Sequence, residues 1–115
     1  MFVNLTPHDI TLRDPTGDDV TVAPSGTVAR VSTSTTTTRV LAGLPVRVKV
    51  LGDVVGLPDP DGVSVFIVSG AVRGALQEKG SSRADVVAPA TGPQDGAVRN
   101  DAGHVVAVTQ LDGLA

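Results

Sequence analysis

The stretch Val63–Gly80, VSVFIVSGAVRGALQEKG, decides how the chain is read. Val63–Val68 is the most apolar run in the sequence and predicts a central strand. Ser69 offers a hydroxyl where a helix needs an acceptor for its first free N–H groups. Gly70–Lys79 follows, with Val72, Ala75 and Leu76 on one helical face. Gly80 is placed to end the helix, because glycine enters the left-handed region without steric cost. An apolar strand feeding one short helix is the organising unit.

Toward the N-terminus the signals are those of strands and turns. Phe2–Leu5 is a short apolar strand stopped at Thr6-Pro7, since Pro7 cannot donate to a ladder and holds Thr6 extended. His8–Arg13 alternates, with Ile10 and Leu12 on one face. Asp14-Pro15-Thr16-Gly17 has the residue order of a type I turn, and Val20–Ala23 returns as the partner strand. Pro24-Ser25-Gly26 makes a second turn before Thr27–Val31. The hydroxyl-rich tract Ser32–Thr38, STSTTTT, reads as an exposed edge strand or a loop, because Thr suits a pleated surface. Val46–Val50 alternates valines with Arg47 and Lys49, as a strand with one wet face does. Gly52-Asp53 reads as a tight turn and Gly56–Gly62, GLPDPDG, as a loop.

Beyond the helix, Ser81–Gly96 reads as irregular. Val98–Arg99 and His104–Leu111 form a hairpin around Asn100–Gly103, and Asp112–Ala115 is expected to fray. The 115 residues make one domain, 1–115. The expected fold is mostly β: an antiparallel β-sandwich or small barrel carrying one short α-helix at about residues 70–79.

Composition narrows the function classes. Valine dominates the apolar residues, beside two Phe and no Tyr or Trp. Such a core is built from many small contacts, which an oligomer interface would supplement. A net charge of −3 without Tyr or Trp argues against a nucleic-acid polymer as partner, which requires a basic face and stacking platforms. The absence of cysteine removes disulfides, thiolate metal sites and Cys nucleophiles. No apolar run is long enough to span a membrane, and MFVNLTPHDI lacks the basic and apolar regions of a signal peptide. The expected location is therefore the cytoplasm of a bacterial host.

Three groups of residues could carry chemistry. At the helix start, Ser69 and Gly70 expose backbone N–H groups that attract anions, and Arg73 and Arg83 could reach a phosphate; the plainer role is helix capping with solvated arginines. Asn4, Thr6 and His8, two apart, could line a pocket for a base or sugar; the plainer role is bracing the turn at Pro7. Arg83 and Asp85 share a face in an extended segment and are better placed for a structural ion pair than for catalysis. His8 and His104 are the only side chains with near-neutral basicity, and no nucleophile elbow accompanies them. Asp59-x-Asp61-Gly62 is a fragment of a calcium loop without its closing Glu. No cofactor or metal is implied.

The opening Val3-Asn4-Leu5-Thr6-Pro7-His8-Asp9-Ile10 resembles the start of a group of small proteins of actinobacterial phages, and of bacterial genomes carrying phage-derived genes, to which no activity is attached. Pro24-Ser25-Gly26, Ala29-Arg30-Val31, Gly56-Leu57-Pro58, Ile67-Val68-Ser69, Arg83-x-Asp85-Val86 before Pro89, and Gly103–Leu111 extend the likeness over nearly the whole chain. The resemblance implies a phage accessory context. Combined with the helix start, it leads to the expectation of a non-catalytic protein capturing a small phosphorylated ligand such as a nucleotide immune signal. The alternatives are a protein-interaction or minor virion structural protein using an edge strand, bound to a host protein or to its own copies, and a small hydrolase using His8.

Overall fold

The computed structural model describes residues 1–114. Strand β6 (Val65–Ile67) lies inside a four-stranded sheet, between β1 (Phe2–Asn4) and β7 (Val86–Pro89), with β10 (Leu111–Gly113) beyond β7. β1 and β7 both run parallel to β6, and β10 runs antiparallel to β7. Parallel neighbours need a crossover, and α1 (Gly70–Glu78) supplies the one from β6 to β7. Ser69 caps it, its hydroxyl accepting from the Val72 N–H at 3.2 Å, and Gly80 leaves it at φ +77°.

Register sorts the sheet's side chains into two faces. Leu5, Phe66, Val68, Val86 and Ala88 share one face and form the main core with Val72 of α1 and Ala29. The second face carries Asn4 and Ile67, both wholly buried. The hairpin β2 (Ile10–Arg13) and β3 (Asp19–Val22) flanks that side; Pro24, just beyond it, is tied to β1 by the Asn4–Pro24 bridge, and Leu12 of β2 is bridged to Val108. β8 (Val98–Arg99) and β9 (Val105–Ala107) form a further short hairpin.

The remaining element departs from a compact shape. β4 (Arg30–Leu41) and β5 (Leu44–Val55) make a two-stranded antiparallel hairpin of 12 residues a strand. Its root packs through Val31 and Val54 on the main core and touches α1. Residues 33–50 are almost wholly exposed. The radius of gyration is 16.5 Å, against about 13 Å for a compact domain near this length. The hairpin is an arm.

The chain is thus mostly strands with one short helix, as the sequence predicts, with antiparallel hairpins around a mixed sheet. Among the described residues no sheet closes into a barrel. Three local readings are corrected. The supposedly irregular Ser81–Gly96 contains β7, where Val86 and Ala88 are buried and Val87 and Pro89 half-buried; all four residues are apolar, so the sequence lacks the polar–apolar alternation that marks a strand. Gly52-Asp53 is not a turn: the two residues stand opposite Ser32 as a bulge within β5. Asp112 and Gly113 are not frayed but pair with Ala88 and Val87; Ala115 lies outside the described residues.

Asp61 fastens the entry to β6. Its carboxylate accepts from the N–H groups of Val63 and Ser64 and from the Ser64 hydroxyl, at 2.9, 2.7 and 2.6 Å. Led by the Ser64 hydroxyl, these donors lower its pKa from 3.8 to about 2. The folded-state pKa is depressed, so this contribution to stability is complete above the unfolded value and disappears as pH falls through the folded one. The unfolding midpoint should therefore hold above pH 3.8 and drop as pH approaches 2. Asp61→Asn should flatten that decline in thermal melts followed by circular dichroism.

Candidate functional site

The helix start is open. Gly70 is exposed, a Cβ there would meet nothing within 4 Å, and the N–H groups of Gly70 and Ala71 have no acceptor among the described residues. Beside it lies a recess of about 290 Å³ lined by Thr6, Arg30 and Ser69 over Leu5 and Val72. This brings together two of the residue groups singled out in the sequence, through Ser69 and Thr6, and adds Arg30. No ion pair or hydrogen bond engages the Arg30 guanidinium among the described residues. Nothing local marked Arg30; it enters the recess because β4 begins where the chain returns past α1.

The two expected arginines are turned elsewhere. Arg73 lies along the helix, donating at 3.2 Å to Gln77 Oε1 and at 3.2 Å to the carbonyl of Gly113. Arg83 makes a two-pronged pair with Asp85 at 3.0 and 2.7 Å, donates to the Pro58 carbonyl at 2.9 Å, and sits 5.8 Å from the centre of the Phe66 ring. The paired hydrogen bonds hold the Asp85 carboxyl below its usual range and raise the Arg83 guanidinium. Arg83 and Asp85 therefore pin the Pro58 loop to the edge of the core, the structural role the sequence favoured. As a cluster around one anion, Ser69, Gly70, Arg73 and Arg83 are not assembled.

Asn4, Thr6 and His8 form a closed knot and not a ligand row. Asn4 Nδ2 donates to the carbonyls of His8 and Val22 at 2.7 and 3.0 Å, while its Oδ1 accepts from the Thr6 N–H at 2.9 Å and hydroxyl at 2.7 Å. The amide is saturated and buried. It joins β1, the bend at Pro7 and β3. His8 is exposed and contributes backbone groups to this knot; its ring makes no hydrogen bond to a described residue.

The largest uncovered feature is the arm. Leu44, Val46, Val48 and Val50 fall on one face of β5, and Leu41 joins them across the turn. Leu44 is 70% exposed, Leu41 and Val50 52%, and Val48 47%. The opposite face carries Arg47 and Lys49 opposite Thr37 and Thr35. The alternation of Val46–Val50 in the sequence implies one wet face; in the structure both faces are exposed, with Val46 alone half-buried.

No family model matches the chain, and neither the curated proteins nor the solved structures include one that resembles it. Among the described residues there is no grouping of His, Cys, Asp and Glu able to hold a metal ion, and no helix long and apolar enough to cross a membrane.

Asn4 is expected to matter for folding before it matters for binding. Asn4→Ala should cost about 2–4 kcal/mol in urea unfolding, because it strands several buried polar groups at once. A loss under about 1 kcal/mol would show that water replaces the amide.

Proposed function

We propose that this protein is a non-catalytic interaction protein, of the phage-accessory type its sequence resembles, that docks a protein partner along the β4–β5 arm. One observation carries the reading: a long two-stranded ribbon whose apolar stripe, Leu41, Leu44, Val48 and Val50, is turned to water. A ribbon of two strands gains little from its own hydrogen bonds in water and normally needs a third strand or a packed face. The arm's outer backbone edges and its apolar face are both available to a partner. Asp substitutions there replace apolar contact without touching the core. Leu44→Asp with Val48→Asp should leave the melting temperature within a few degrees and remove every stoichiometric partner found by cross-linking and pull-down, whether another protein or a second copy. A partner retained by this variant overturns the reading.

A second reading is favoured by the recess at the helix start: capture of a small phosphorylated ligand, such as a nucleotide signal, by the N–H groups of Gly70 and Ala71, with Thr6, Ser69 and Arg30 around it. Arg30 takes the part the sequence gave to Arg73 and Arg83. A nucleotide present at about 100 times its dissociation constant should stabilise the protein by about 2.7 kcal/mol, and Arg30→Ala should remove most of that shift. An unchanged melting temperature across a panel of linear and cyclic nucleotides eliminates this reading.

A further inference from the structure

The chain carries a receptor that matches its own arm. A trough of about 360 Å³ is floored by Phe2, Leu12, Val20, Val108 and Leu111 and edged by Asp14 and Asp18. Arg13 also borders it, but its charge is taken up by Asp19 at 2.8 Å. Hydrogen bonds from Thr16 and from the Asp18 N–H lower the pKa of Asp14, so the edge is negative near neutrality. The outer arm, residues 33–51, has the opposite character: three of the nine Lys and Arg, namely Arg39, Arg47 and Lys49, and none of the twelve Asp and Glu. Its end is apolar, with Leu41 paired to Leu44 across the turn.

Register places the trough out of reach of the arm that belongs to it. Phe2 and Leu111 lie on the sheet face opposite the main core, whereas the arm is rooted on the core face through Val31 and Val54. Arm and trough can meet only between molecules. On the strength of the docking reading above, we propose that the arm's partner is a second copy of this chain. Leu41 and Leu44 enter the neighbour's trough, and Arg39, which shares their face through its pairing with Val46, lies against the Asp14 and Asp18 edge, while Arg47 and Lys49 on the other face add to the arm's positive field. Each copy then gives an arm and receives one. Two different surfaces join at every contact, so two copies exchange arms about a two-fold axis or further copies extend the assembly head-to-tail as a larger ring or filament.

The test uses the full chain in sedimentation velocity over a wide concentration range and at two ionic strengths. Wild-type protein should assemble with rising concentration, and less so in high salt. Arg39→Ser with Leu44→Ser should weaken assembly roughly tenfold or more, and Asp18→Lys with Val20→Lys should do the same from the other side. Mixing these two variants should give a species of two chains and nothing larger, because only one intact arm and one intact trough remain to meet. Wild-type protein that stays monomeric, or assembly unaffected by the Asp18/Val20 variant, overturns the proposal. In the first case, a different protein lost on Leu44→Asp with Val48→Asp would leave the docking reading standing. If that variant loses no partner at all, both fall.

Discussion

The molecule depends on β6 being hydrogen-bonded along both edges while both of its faces are covered. Leu5 N–H donates to the Ile67 carbonyl on one side, and the Phe66 and Val68 N–H groups donate to Asp85 and Val87 on the other. Phe66, Ile67 and Val68 are all buried. In a chain with so few aromatic residues, this sheet collects small side chains into a continuous contact area. The helix and arm root lie on one side, and the residues bridged to the short hairpins on the other. Because β1 and β6 are far apart in sequence and parallel, their pairing is costly in chain entropy and must await contacts made by the segments between them. The three hairpins are local and can form before it.

Stability and interaction are therefore assigned to different parts of the chain. The core uses Val, Ala and Leu on short strands, with the Asn4 knot and the Arg83–Asp85 pair closing its polar positions. The arm contributes only its root to that core, so its outer residues are free to be chosen for something other than folding. Exposed valines in a ribbon invite unwanted association, and the hydroxyl tract of β4 tempers this by placing Ser34 and Thr36 across from Val50 and Val48.

What the sequence disclosed followed from local physics. The capped helix, the apolar strand before it and the turn at Asp14–Gly17 all depend on neighbours within a few residues, and each lies where the pattern placed it. β7 stayed hidden because its half-buried face carries Val87 and Pro89, so the segment has no polar residue to alternate with the buried Val86 and Ala88. The arm's second wet face stayed hidden because alternation reports a face, not whether anything covers it. The destinations of Arg73 and Arg83 could not be read either. Spacing within a helix or strand says nothing about Gly113 or the Pro58 carbonyl, which topology alone brings within reach. Arg30 reached the recess the same way.

The two irregularities in the arm lie on opposite strands. An extra residue at Gly52-Asp53 faces Ser32 near the root, and an extra residue at Thr38 interrupts β4 near the end. A Cβ at position 52 would collide with the Ser32 hydroxyl, so the first irregularity is locked in place by the absence of a side chain. The threonine run has no such lock: sliding it by two residues exchanges like for like. Alignment of this repetitive strand must therefore come from the fixed points at either end, Gly52 below and the left-handed pair Ala42-Gly43 above. One residue gained within the run can be absorbed by relocating the Thr38 kink, whereas one residue gained between Val46 and Val50 turns the ribbon inside out from that point to the next kink.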